Sequence, residues 1–349
     1  MIKYLGSKRV LLPRILRMAE HLPEVETVLD LFSGTSRVGH AFKKQNKIVT
    51  ANDHMSYAYK LAQCYVVANK STVEADAKRI IEELNALPGS PGYFTETFCE
   101  KAMFFQPKNG ARVDAMRERI ASMGLDPILE AVVLVSLMEA ADRVDSTCGL
   151  QMAYLKSWAT RAKENIQLRM PDILPGTGYA LQMDAKEAAA ASMYDLVYID
   201  PPYNQHKYMG NYHIWESLIK WDKPEVYGKA MKRVDARTYK SGFNSKRHIA
   251  DSFKEVLNNV QAKYMMVSFS NEGHLKHPDL VTLLSAYGET AWFEVPYRRY
   301  VGAQIGIYNQ NGDKVGAKGH LYNKEYIFLV GRNATEIIDK YTKEVSSES

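Results

Sequence analysis

Short, unbroken apolar runs recur along the chain, and most of them stop at an acid or at a turn residue. Residues 27–32, 48–53, 179–184, 195–199, 264–269, 289–297 and 325–330 read in this way as strands. Between them, apolar side chains at helical spacing predict helices. The first holds Leu11, Leu12, Ile15 and Leu16, with Pro13 in its first turn. Val38, Ala41 and Phe42 form the inner face of a second. Further helices are expected over 56–69, 71–87, 111–122, 127–144, 212–221, 251–261 and 279–287, with a Ser71-x-x-Glu74 capping box at the start of the second of these spans. Gln310-Asn311-Gly312 signals a hairpin between Ile307-Tyr308 and Lys314-Val315. The alternation of strands and helices is that of an α/β fold.

The rhythm breaks once. After Leu87, Pro88-Gly89-Ser90-Pro91-Gly92 interrupts the chain, and from residue 93 to about 178 the strand pattern disappears in favour of helices. Residues 88–178 are therefore expected to be a mostly helical insertion, a natural place for a substrate-reading element, between two catalytic segments, 1–87 and 179–349.

The most informative stretch is Asp195-Leu196-Val197-Tyr198-Ile199-Asp200-Pro201-Pro202-Tyr203. A buried strand is halted by a carboxylate, two prolines and a ring. Neither proline has an N–H for a ladder and both hold φ near one value, so Asp200 and Tyr203 are set rigidly at the carboxyl edge of a sheet. Open α/β sheets put ligands at that edge. An acceptor and a flat ring on stiff backbone suit a planar, amino-bearing base; on its own the stretch is equally a strand followed by a proline turn.

A second constellation lies earlier. Strand 27–32 runs into Ser33-Gly34-Thr35-Ser36-Arg37-Val38-Gly39, then a helix, then strand 48–53 ending in Asp53. This is the layout of a nucleoside-binding βαβ unit, in which glycine admits a ligand to the backbone and an acid on the second strand accepts from ribose hydroxyls. Ser36 stands where the middle glycine of a dinucleotide fingerprint belongs, so a nucleoside without phosphates fits better than a dinucleotide. Strand 179–184 also ends in a carboxylate, Asp184. Near the start, Gly6-Ser7-Lys8 forms a turn whose N–H groups and ammonium suit a carboxylate, or simply open a helix.

Composition narrows the class. Of the 349 residues 46% are hydrophobic and 24% charged, which is ordinary for a globular chain. No apolar run has the length of a membrane span, and Lys3, Lys8 and Arg9 are not followed by a signal-type apolar core. Cys64, Cys99 and Cys148 lack metal-ligand spacing, so a reduced, cytoplasmic protein without structural zinc is expected. A net charge of +5 permits a polyanionic partner. Two cationic stretches could face one. Residues 154–163 interleave rings with Lys156, Arg161 and Lys163, and residues 223–248 form a long loop holding Lys229, Lys232, Arg233, Arg237, Lys240, Lys246 and Arg247. A solvated helix and a solvated loop are the plain alternatives.

Taken together, Lys3-Tyr4-Leu5-Gly6-Ser7-Lys8, Asp30-Leu31-Phe32-Ser33-Gly34, Asn52-Asp53, Asp184 and Asp200-Pro201-Pro202-Tyr203 resemble the Dam-type DNA adenine-N6 methyltransferases. Their order, cofactor half before catalytic half, resembles the α arrangement of that class. Asp142-Arg143-Val144 through Ala153-Tyr154-Leu155-Lys156 resembles a branch that includes methylases of type IIS restriction systems.

The resemblance implies a Rossmann-like methyltransferase sheet and S-adenosylmethionine as methyl donor. By position, Tyr4, Gly6, Ser7 and Lys8 would surround its methionine moiety; Asp30 belongs to the same motif as Phe32, Ser33 and Gly34, which would form the floor. Asp53 would bind the ribose and Asp184 the cofactor's adenine amine. Asp200 and Pro201 would align the target amine, with Pro202 stiffening the turn and Tyr203 stacking on the base. Double-stranded DNA is the implied substrate and a cognate restriction endonuclease the implied companion. The cations expected on DNA are Lys156, Arg161, Lys232, Arg233, Arg237, Lys240, Lys246 and Arg247. The competing readings are an RNA adenine-N6 methyltransferase and a DNA-binding subunit with a vestigial cofactor site.

Overall fold

A computed structural model describes residues 1–298, 307–308, 314–316 and 322–347. Seven of its strands build one mixed sheet: β1 (Thr27–Asp30), β2 (Ile48–Asn52), β3 (Gly178–Leu181), β4 (Tyr194–Ile199), β5 (Ala262–Ser270), β6 (Thr290–Arg298) and β7 (Tyr322–Gly331). Their order is β3-β2-β1-β4-β5-β7-β6. The first five are parallel, and β7 lies antiparallel between β5 and β6.

This order creates a switch point. From β1 the chain winds outward through β2 and β3, then returns to place β4 on the other side of β1. The carboxyl ends of β1 and β4 therefore stand side by side, with Asp30 in register with Tyr198. Connections leave such a pair in opposite directions and open a crevice between them. Asp195 at the start of β4 pins the opposite end, accepting the Glu26 and Thr27 N–H groups at 3.0 and 2.9 Å.

Helices cover both faces. On one side α1 (Leu12–Glu20) and α2 (Arg37–Lys44) bury Ile15, Met18 and Phe42 against Val28, Val49 and Met266. On the other, α7 (Ala185–Ala190) and α9 (Ile249–Asn259) bury Ala188, Phe253 and Leu257 against Leu29, Val197 and Val267. The side chains alternate between faces because a strand's period is two.

The helical stretch after Leu87 shares its core with helices on either side of it. Helices α5 (Pro107–Ser122) and α6 (Pro127–Arg143) pack Val113, Met116, Val132 and Leu137 into one cluster. The same cluster holds Tyr57 and Leu61 of α3 (Ser56–Ala62), Ile80 of α4 (Lys70–Ala86) and Trp215 and Leu218 of α8 (His213–Lys220). Hydrophobic burial thus runs across the boundary expected at residue 88.

Several local expectations shift. Helix α4 is capped by Asn69, whose side chain accepts the Ser71 N–H at 3.2 Å, and not by the Ser71-x-x-Glu74 box. Residues 154–163 are irregular apart from a 3-10 turn at Thr160–Lys163. Residues 223–248 are not one open loop. They fold into a hairpin, Val226–Tyr227 against Lys232–Arg233, then a helical turn at Asp235–Thr238 and a 3-10 turn at Gly242–Asn244. Ile307–Tyr308 pairs antiparallel with Lys314–Gly316, and the Asn311-Gly312 turn expected between them lies outside the described residues.

Candidate active site

The crevice is built from four strand ends. After β1 the chain turns through Gly34 (φ 50°) and Ser36 (φ 57°) into α2. Gly34 has little room for a side chain, because a Cβ there would lie 3.0 Å from the Tyr4 ring and its φ is one that other residues rarely adopt. Ser36 takes the left-handed conformation despite being a serine, so the loop keeps the shape that glycine would give it, at some steric cost. Asp30 replaces the missing cap of α2, its Oδ2 accepting the Gly39 N–H at 2.8 Å. It is buried, and that burial pushes its carboxyl up to about 7.

Asp53 follows β2 and braces the same loop. Its Oδ2 accepts the Gly34 N–H and its Oδ1 the Met55 N–H, both at 2.9 Å. Burial raises its pKa, and those two hydrogen bonds oppose the rise. Asn52 beside it spans three strand ends, donating to the Leu31 carbonyl at 3.1 Å and accepting the Met183 N–H at 3.3 Å. At the end of β3, Asp184 caps α7 by accepting the Lys186 N–H at 3.0 Å.

Asp200 ends β4, and its Oδ1 lies 2.8 Å from the Lys8 ammonium. Burial alone would lower the Lys8 pKa, but Asp200 and then Glu325 outweigh it and hold the ammonium above the ordinary lysine range. Lys8 is therefore charged and faces the carboxylate. Tyr203 packs its ring 5.3 Å from Phe269, lies 5.9 Å from the Lys8 ammonium, and takes the His274 N–H on its carbonyl at 2.8 Å. The N-terminal segment is held by tyrosines: Tyr4 stacks on Tyr212 at 4.7 Å and on Tyr208 at 5.3 Å, and Tyr212 accepts the Leu5 N–H at 2.6 Å.

These groups surround a cavity of about 300 Å³. Of the residues read from the sequence, Tyr4, Gly6, Phe32, Gly34, Asp53, Asp184, Asp200 and Pro202 line it. Ser7, Lys8, Asp30, Ser33, Pro201 and Tyr203 stand outside its lining. For Lys8 the reason is the ion pair, which turns its ammonium to Asp200; for Asp30 it is the cap on α2.

Sequence reasoning missed one wall. Residues 239–244 fold over the cavity, with Phe243 edge-on to Phe32 at 5.3 Å and Tyr239 stacked on His54 at 5.6 Å. Asn244 anchors the segment by donating to the carbonyls of Asn204 and His206 at 2.8 and 3.0 Å. A Gly-Phe-Asn run inside a cationic stretch carries no signal of this packing.

The cations divide. Arg233 is buried and forks onto Asp222 and Asp235, at 2.7 and 2.8 Å, so its charge is spent inside the protein. Arg161 is likewise held, by Asp145 at 2.7 Å. Arg237 lies over the Tyr227 ring at 3.8 Å, Lys232 is half-buried, and Lys240 lines the cavity. Lys156, Lys246 and Arg247 are exposed. Arg161 and Arg233 thus each brace the fold through an ion pair. Among the described residues no cluster of metal-ligating side chains occurs, and no helix is long and apolar enough to cross a membrane.

The family model of the D12 class N6 adenine-specific DNA methyltransferases matches residues 4–271, the span that carries every strand end described above. The chain belongs to that family. It is 31% identical over 86% of its length to the type II methyltransferase M.FokI of Planomicrobium okeanokoites, and 29% identical over 87% to the StsI modification methylase of Streptococcus sanguinis. It spans about half the length of each of these two relatives. It is also 27% identical to the type II methyltransferase M.NlaIII of Neisseria lactamica, here covering 94% of this chain and 98% of the relative.

Proposed function

We propose that this family member transfers a methyl group from S-adenosylmethionine to N6 of an adenine flipped out of duplex DNA, as the modification partner of a cognate restriction endonuclease. The observation that carries this reading is one cavity, at the switch point of the sheet, lined at once by Asp53, Asp184 and Asp200.

The residues present suit the cofactor. The volume falls at the lower end of the ~300–1,000 Å³ of small-molecule sites. Gly34 leaves backbone open where a Cβ would strike Tyr4, and Asp53 and Asp184 keep lone pairs for ribose hydroxyls and an adenine amine. Phe32 and Phe243 supply apolar, edge-on rings for the nucleoside, and Tyr4 and Gly6 line the same cavity as Asp200. When bound, S-adenosylmethionine supplies an electrophilic methyl group on a sulfonium.

The chain's own task is to make a poor nucleophile attack. The lone pair of adenine N6 is delocalised into the ring, and hydrogen bonds from its two N–H groups to Asp200 and to the Pro201 carbonyl would localise and aim it. Tyr203 would stack on the extruded base and offset part of the few kcal/mol that flipping costs. The resemblance to the adenine-N6 class, which carries aspartate at the position of Asp200, implies adenine as the target. No covalent enzyme intermediate is required.

Labelled S-adenosylmethionine offered with unmethylated duplex DNA, RNA and protein tests the proposal. Label on N6 of adenine in DNA is expected. Label confined to RNA, or to no substrate, would overturn it.

A further inference from the structure

One buried cluster remains without a role in that scheme. Lys8 is 5% exposed and outside the cavity lining, and its ammonium lies 2.8 Å from Oδ1 of Asp200, which lines the cavity. Glu325 of β7, also 5% exposed, acts on the same ammonium through its charge, and its Oε2 has no hydrogen-bond partner among the described residues. Ser270 of β5 lies directly across the β5–β7 ladder from Glu325. The remaining titratable groups that face Asp200 are Asp30 of β1, Tyr198 of β4 and Tyr208 of the turn after the Asp200 loop.

We propose that Lys8 and Glu325 are positioning residues for the transfer step, Lys8 by holding one oxygen of Asp200 so that the other faces the substrate amine, and Glu325 by sharing the Lys8 ammonium. The inference rests on the function proposed above. It reassigns Lys8 from the cofactor to the acceptor that aligns the target.

The physical argument is competition for one charge. A lysine ammonium is a compact point charge on a flexible stem, and it holds a fixed place only where burial and partners confine it. Here Gly6, whose carbonyl lies 3.5 Å from Nζ, and the Tyr203 ring confine it on the side of the N-terminal turn. Asp200 is the direct partner, while Glu325 attracts the ammonium from the far strand. Removing Lys8 leaves a buried carboxylate uncompensated, so Asp200 becomes harder to ionise. Neutralising Glu325 removes a competitor and a nearby negative charge, so Asp200 becomes easier to ionise and is gripped more tightly. The two substitutions should therefore move Asp200 in opposite directions, which a purely structural role in packing would not do.

The test uses the full chain in three measurements: a 13C-carboxyl titration of Asp200 in the free protein, assigned by difference from Asp200→Asn; direct calorimetric binding of S-adenosylmethionine; and single-turnover methylation of duplex DNA. Lys8→Gln should move the Asp200 midpoint to higher pH and slow the single turnover about 100-fold, while changing cofactor affinity less than about 3-fold. Glu325→Gln should move the midpoint to lower pH, and Lys8→Arg should restore part of the rate. Lys8→Gln that weakens cofactor binding more than tenfold with the midpoint unmoved would overturn the assignment and return Lys8 to the cofactor. An unmoved midpoint in Glu325→Gln would remove Glu325 from it. If Lys8→Gln does not fold, Lys8→Arg and Glu325→Gln carry the same titration test. Wild-type protein that methylates nothing would sink the proposed function, whereas the titration in the free protein decides the pairing of Lys8 with Asp200 separately.

Discussion

Asp53 Oδ2 accepts the Gly34 N–H at 2.9 Å, joining the end of β2 to the loop that follows β1. The carboxylate thereby shapes the loop against which the cofactor would lie and at the same time offers its remaining lone pairs to it. Asp53→Ala should weaken S-adenosylmethionine binding by about 2 kcal/mol or more, since both a charged acceptor and the loop's brace are removed. Calorimetric affinity within twofold of wild type would place the nucleoside elsewhere.

Ser36 is buried, left-handed at φ 57°, and its Oγ has no hydrogen-bond partner among the described residues. Ser36→Gly relieves about 1–2 kcal/mol of backbone strain, against about 0.5–1 kcal/mol of added chain entropy. A gain of about 1 kcal/mol in a urea titration is expected, with cofactor affinity unchanged. Loss of stability would show that the serine is not strained.

Asp30 makes stability fall with pH. Its folded pKa is raised to about 7 by burial, above the ordinary value near 3.9, so over that interval the native state holds a proton that the unfolded chain has released. The stabilisation is full below about pH 4 and is lost as pH rises through 7. Asp30→Asn keeps an acceptor for the Gly39 N–H and removes the titration. Its stability relative to wild type should therefore increase from about pH 5 to about pH 8; a constant difference would show that Asp30 is ionised throughout.

DNA affinity should depend on only part of the cationic set. Removing the exposed charge of Lys156, Lys246 or Arg247 should make the fall of log affinity with log salt shallower, by about one in slope for each phosphate left unneutralised. Arg161→Ala and Arg233→Ala should leave the slope unchanged. Arg233→Ala should instead lower stability by about 3 kcal/mol, near the bottom of the range for breaking a buried pair because both carboxylates are partly exposed. A reduced salt slope in Arg233→Ala would put that side chain on DNA.

Most of the β-sheet could be read in advance because strands buried on both faces are continuous apolar runs, and the acids that stop them mark the carboxyl edge. Residues 195–199 and the Asp200-Pro201-Pro202-Tyr203 turn are such a case, and β4 with its terminal carboxylate stands where that pattern puts it. The antiparallel β7 was less legible, since strand direction depends on which edge the returning chain pairs with. The helices after Leu87 were visible as a change of period, but their end at Arg143 and their fusion with Tyr57, Ile80 and Trp215 into one core were not.

The site divides along the same line. Asp53, Asp184 and Asp200 stood out as carboxylates that follow apolar runs, and their roles came from the resemblance that these and the neighbouring motifs carry together. The sequence likewise determined the stiff turn after Asp200 and the glycine at 34, which are properties of backbone covalent geometry. Only the tertiary structure decided that Lys8 pairs with Asp200, that Phe243 closes the cavity on Phe32, and that Arg233 serves Asp222 and Asp235. A flexible cation commits to whichever buried carboxylate the fold brings within reach, and that partner is set by strand order across the sheet.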